Sequence, residues 1–196
     1  MKIKNLTLIF FIYFFSSTNV NAIEADVFVQ STVNRASTAL SKEISKKAKI
    51  DELKIIAKET VDIEGIGFYT LGVYRKQMNE NELKEYLKLF EQYFLKSFSS
   101  RLAEYTNPEI SVNSKEVLSE NYTIVSSVLK GTVERPEVKI DWRIYTKNTN
   151  NPLIRDLIIE GLSLARTQRE EFSSIINSNN GDIRSLFKTL EDFSKN

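Results

Sequence analysis

Apolar residues recur every three or four positions between about Glu24 and Lys47, at Val29, Val33, Ala36, Leu40 and Ile44, with Gln30, Asn34, Arg35, Lys42 and Lys46 on the other side. A spacing near the helical period gathers those apolar side chains on one face and predicts an amphipathic helix. A shorter helix is expected from Asp51 to Thr60, capped by Asp51 and burying Leu53, Ile56 and Ala57. Asp62 to Tyr74 reads as a third helix, weakened by Gly65, Gly67 and Gly72, each costing up to about 1 kcal/mol relative to Ala. Those glycines also offer a place where another element can approach the backbone closely. A long helix is predicted from the N-cap Asn79, with Glu80 and Glu82 in its first turn, to about Tyr105, where Asn107-Pro108 stops it. Its stripe runs through Leu83, Leu87, Phe90, Phe94, Phe98, Leu102 and Tyr105, widened by Tyr86, Leu89 and Tyr93.

Beyond Pro108 the period drops to two, which predicts strands over Glu109 to Leu118, Asn121 to Lys130, Glu137 to Tyr145 and Leu153 to Glu160. In the third, Val138, Ile140, Trp142 and Ile144 alternate with Lys139, Asp141 and Arg143. One buried face and one wet face are the mark of an antiparallel sheet. Turn signals separate the strands at Ser119-Glu120, Gly131 to Pro136 and Asn148 to Pro152. Helix returns from Leu162 to about Ile176, with Ser163 placed to cap it, and breaks at Asn179-Asn180-Gly181. A short helix with Ile183, Leu186, Phe187 and Leu190 inward ends the chain. Helices, then strands, then helices predict an α+β fold in which several helices pack on one antiparallel four- to five-stranded sheet.

The N-terminus changes where this domain is expected to work. Lys2 and Lys4 precede an apolar run from Leu6 to Phe15, and Val20-Asn21-Ala22 supplies small residues before a cut. That order predicts a cleaved secretory signal over residues 1–22 and a single domain over residues 23–196. The apolar run covers about half of the roughly 20 residues that span a bilayer as a helix. Removing Lys2 and Lys4 from the 27 basic residues leaves 25 against 26 acidic ones, so the exported domain is nearly neutral and unsuited to nucleic acid. The chain has no Cys and no His, which removes disulfides, a thioether lipid anchor, the thiol nucleophile and the commonest general base and metal ligand. No Walker loop, dinucleotide fingerprint, EF-hand or Gly-x-Ser-x-Gly elbow is present. The carboxylate pairs Asp62 with Glu64, and Asp141 with Asp156, read as solvated groups or caps. Arg155 beside Asp156 reads as a structural pair. No catalytic residue and no metal site is therefore expected.

Val61-Asp62 with Leu71-Gly72-Val73-Tyr74, the run Asp156-Leu157-Ile158-Ile159-Glu160-Gly161-Leu162-Ser163-Leu164, Arg169-Glu170-Glu171-Phe172 and the Asn180-Gly181-Asp182 break resemble the MlaC, or toluene-tolerance, family of periplasmic phospholipid carriers. The likeness runs from about Thr60 to Leu190. Arg75 and Pro152 stand where that family often carries Trp. On spacing alone the aromatic stripe is ordinary core. The resemblance instead implies an apolar lipid cavity between helices and sheet, with Phe68, Leu71, Tyr74, Phe90, Phe94, Phe98, Trp142, Ile144, Ile158 and Phe172 against the acyl tails. Arg143 and Arg169 are the implied head-group contacts, because a guanidinium offers paired donors to a phosphate. With so balanced a charge, discrimination among head groups is expected to be weak.

The resemblance further implies a monomer that carries phospholipid as cargo, uses no cofactor, and works between two partners: an inner-membrane ATP-driven lipid transporter complex and an outer-membrane lipoprotein-porin complex. Its role would be to maintain outer-membrane lipid asymmetry. The rival reading from another class is a small periplasmic enzyme or isomerase that uses a carboxylate in the same apolar pocket.

Overall fold

A computed structural model describes residues 22–133 and 135–195. Residues 1–21, which hold all but the last position of the expected signal, lie outside the described residues. The elements follow in the order α1 (Ala25–Ser41), α2 (Lys46–Thr60), α3 (Ile63–Thr70), a 3-10 helix (Gly72–Gln77), α4 (Glu80–Leu102), β1 (Ile110–Ser119), β2 (Tyr122–Leu129), β3 (Val138–Tyr145), β4 (Leu153–Ile159), β5 (Leu162–Ser163), α5 (Leu164–Ser178) and α6 (Ile183–Lys195). The five strands form one antiparallel sheet in sequential order. The α+β expectation holds, with the short β5 completing the sheet.

Helix boundaries differ from the sequence pattern where local hydrogen bonding decides them. The first helix ends at Ser41 rather than continuing to Lys47, and the second begins at Lys46 rather than Asp51. Ser45 is the reason: its hydroxyl accepts from the Ala48 amide at 3.2 Å, capping α2, and Ile44 is left exposed in the linker. Lys49 Nζ donates to the Leu40 carbonyl at 2.6 Å, so α2 satisfies one of the carbonyls freed at the end of α1. The third helix is split. Asp62 Oδ1 accepts from Gly65 N at 2.9 Å and starts α3, and Gly72, at φ 54°, ends the run and turns the chain into the 3-10 helix.

Two glycines in this segment are close-approach positions. A Cβ on Gly67 would lie 2.9 Å from a Phe90 ring carbon, so α3 packs directly on α4. A Cβ on Gly72 would lie 2.8 Å from Arg169 Nε, which explains why the Leu-Gly-x-Tyr and Arg-x-x-Phe segments belong together: α5 lays its guanidinium over the turn. Gly72→Ala therefore meets both a left-handed backbone and an occupied space. The expected loss is about 1–2 kcal/mol in a denaturant melt.

The capping box of α4 is as expected, with Asn79 Oδ1 accepting from Glu82 N at 3.0 Å and Glu82 Oε2 accepting from Asn79 N at 3.0 Å. Its buried face presses Tyr86 and Phe90 against Phe172 of α5 and Phe187 of α6, with Phe90 and Phe172 edge to face at 6.2 Å. The Tyr86 hydroxyl shares a 2.8 Å hydrogen bond with Thr70, and burial pushes its phenol well above the usual range.

On the sheet, Thr123, Val125 and Ser127 of β2 and Ile140, Trp142 and Ile144 of β3 face the helices. Trp142 Nε1 donates to Ser127 Oγ at 2.7 Å, which allows a polar ring edge in an apolar face. Between β3 and β4 the register shifts: Arg143 pairs with Asp156 and Ile144 with Ile154, so Arg155 is extra. This bulge turns Asp156 toward α5.

Candidate functional site

Packing between sheet and helices is incomplete. An inner cavity of about 270 Å³ is walled by Val33, Ala36 and Leu40 of α1, by Leu53, Ile56 and Ala57 of α2, and by the sheet residues Leu129, Val138, Ile140 and Ile159. An outer cavity of about 340 Å³ is walled by Ile66 of α3, Phe90, Tyr93 and Phe94 of α4, and Ala165 of α5. Val61, Phe98, Arg101, Trp142, Ile154, Leu157 and Leu164 line both, so the two adjoin along a common wall. Protein interiors hold few voids larger than a water molecule. Apolar walls offer water no partners, so such a space favours an apolar occupant.

The polar residues lining the outer cavity are Ser97 and Arg101 of α4, Thr167, Gln168 and Glu171 of α5, and Asp156 of β4. Tyr93 stands among them, its hydroxyl donating to Gln168 Oε1 at 2.9 Å. Burial, and then the Glu171 carboxylate, push the Tyr93 phenol above its ordinary range, while Arg101 acts in the opposite sense. The arrangement is an apolar chamber with a polar rim, suited to a ligand with a long apolar body and a polar end.

Of the residues the sequence singled out, Phe90, Phe94, Phe98 and Trp142 meet around this space. Leu71, Ile144 and Phe172 do not line it; they are fully buried in packed core. Phe68 lies beneath the Arg75 guanidinium, 4.0 Å from ring centroid to cation, and Tyr74 donates to Asn177 Oδ1 at 2.6 Å. Ile158 pairs with Asp141 on the far face of the sheet, since its neighbours Leu157 and Ile159 face the cavities. The two expected head-group contacts are placed differently. Arg143 lines a surface pocket that shares Ile66, Asp156 and Ala165 with the outer cavity, and its Nη1 lies 3.8 Å from Asp156 Oδ2, whereas Arg169 lies over Gly72 and the Tyr69 ring.

The cation that lines both cavities is Arg101, which the sequence reading missed. Its place in the last turn of α4 reads as an ordinary response to the helix dipole, and only the folded chain brings it beside Trp142 and Leu164. Leu157 was missed as well. It is the cross-strand partner of Trp142, a relation visible once the β3 to β4 register is known.

Asp156 is the carboxylate that a catalytic reading would use, because it borders the outer cavity and is 4% exposed. Both its oxygens are committed. Oδ1 accepts from the Ala165 amide at 3.0 Å and Oδ2 from the Ser163 hydroxyl at 2.6 Å, while Ser163 Oγ itself accepts from Arg166 N at 3.1 Å to cap α5. Among the described residues, no group of three or more His, Cys, Asp or Glu is placed to hold a metal ion, and no helix is long and apolar enough to cross a membrane.

Residues 29–192 match the family described as MlaC protein. No curated protein matches the sequence. Among solved structures, the fold is similar to that of a phospholipid-binding protein from Ralstonia solanacearum, determined in complex with a phospholipid, with a TM-score of 0.73, 16% identity, and coverage of 88% of this chain and 97% of that one.

Proposed function

Because the chain belongs to the MlaC family, we propose that it is a periplasmic phospholipid carrier that holds acyl tails in the adjoining cavities and leaves the head group at the rim. The observation that carries this reading is the unfilled apolar space opening at a polar edge. At about 0.8 kcal/mol per buried CH₂, two chains of about 16 carbons cost some 20 to 25 kcal/mol to expose to water. A lipid crosses an aqueous compartment only inside a container of equal apolarity, and such a container needs no catalytic group and no cofactor.

In this reading the mature domain, residues 23–196, acts as a monomer. It exchanges lipid with an inner-membrane ATP-driven transporter complex and an outer-membrane lipoprotein-porin complex, which keeps outer-membrane lipid asymmetric. The commitment of both Asp156 oxygens to α5 and Ser163 argues against the rival, a carboxylate-dependent enzyme or isomerase.

Organic extraction of protein purified from the periplasmic fraction, followed by mass spectrometry, tests the proposal. Stoichiometric phospholipid is expected, and an empty pocket restores the enzyme reading. Intact mass of the same sample is expected to place the N-terminus at Ile23, because Val20 and Ala22 fill the two small-residue positions before the cut. Residues 1–22 retained in the soluble pool would overturn export with cleavage.

A further inference from the structure

Two opposite charges line the outer cavity without pairing. Arg101 ends α4 and Glu171 lies on α5, and both border the outer cavity. Neither belongs to an ion pair among the described residues, although both lie within electrostatic reach of the Tyr93 phenol. The carboxylate is positioned by a short relay: Tyr93 donates to Gln168 at 2.9 Å, and Gln168 Nε2 donates to Glu171 Oε2 at 2.8 Å. Glu171 Oε1 keeps no hydrogen-bond partner among the described residues, which leaves one acceptor open on a carboxylate that lines the outer cavity. Arg101 lines both cavities and is exposed to solvent, so its planar donors are free to meet a ligand.

We infer that this rim reads the head group of the cargo and favours a zwitterionic phosphoethanolamine over an anionic phosphoglycerol, with Arg101 taking the phosphate and Glu171 the ammonium. The inference rests on the phospholipid-carrier reading. Arg101 donates to phosphate oxygens that both head groups share, and so contributes affinity without choice. Glu171 supplies the choice, because a carboxylate attracts an ammonium and offers a glycerol head no cation partner. Both groups are exposed to solvent, which limits the preference to about fivefold.

The test loads delipidated mature chain from vesicles holding equal amounts of phosphatidylethanolamine and phosphatidylglycerol with identical acyl chains, and counts bound lipids by mass spectrometry. The parent is expected to carry about fivefold more phosphatidylethanolamine. Glu171→Gln is expected to bring the ratio near one, and Glu171→Arg to turn it toward phosphatidylglycerol. A parent ratio near one, or a ratio that Glu171→Arg leaves unchanged, overturns the inference while leaving the carrier intact. A parent that takes up neither lipid overturns the carrier reading itself.

Discussion

Leu157→Trp is expected to give a folded protein that no longer copurifies with phospholipid. Leu157 faces Trp142 across the β3 to β4 register and lines both cavities, so its side chain borders empty space on two sides. An indole there fills the junction through which an acyl chain would pass. In a close-packed interior such an enlargement costs about 1–3 kcal/mol. Here the newcomer finds room and gains contacts, so the delipidated variant should melt at or above the delipidated parent. Ile144→Trp supplies the contrast. The alternating pattern of β3 places Ile144 on the lipid-facing side, but it is fully buried and borders neither cavity. Its enlargement should lower the melting temperature by roughly 2 to 12 °C. If Leu157→Trp melts well below the parent and still carries lipid, the cavities are not the lipid site.

Asp156→Ala should be the most destabilising single change near the site, by about 3 kcal/mol. It leaves the buried Ala165 amide and the half-buried Ser163 hydroxyl without their acceptor, and a buried group so orphaned costs about 1–3 kcal/mol. The loss corresponds to roughly 6 to 12 °C for a chain of this size. Asp156→Asn keeps an oxygen for the Ala165 amide and an amide group for the Ser163 oxygen, so it should recover more than half of the difference. Calorimetry of both variants checks this. Equal melting temperatures for Ala and Asn would mean that the charge, and not the hydrogen bonds, holds α5 to the sheet.

The elements most legible in the sequence were those whose pattern is local. The period of α4 and its capping box, the alternation along β3, and the cap of α5 by Ser163 are all one-dimensional signals. The break between α1 and α2 was misplaced because Ile44 continues the helical spacing by coincidence while Ser45 takes the cap. Around the site, four of the ten expected tail contacts meet the cavities, and they are the residues on the bulky stripe of α4 together with Trp142. The other six lie outside the cavity walls, for reasons that composition does not carry. A bulge resets which face of β4 each residue takes, and Leu71, Ile144 and Phe172 are fully buried in packed core. Arg101 and Glu171 become neighbours of one mouth only when α4 and α5 dock.

The order of these elements along the chain bears on how the protein folds. Every strand pairs with its sequence neighbour, so the sheet can assemble by successive short loop closures, which are kinetically cheap. The walls of the cavities come from both ends of the chain. Val33 and Ala57 precede the sheet, whereas Leu164 and Ala165 follow it, and the parallel bridge of Val61 to Ile154 joins the two halves over a long stretch of sequence. A nascent sheet therefore displays Trp142 and Leu157 to solvent until α1, α2 and α5 have all arrived, and open apolar faces of that kind aggregate. A fragment that stops short of α5 lacks the wall that Leu164 and Ala165 supply and is expected to hold no lipid.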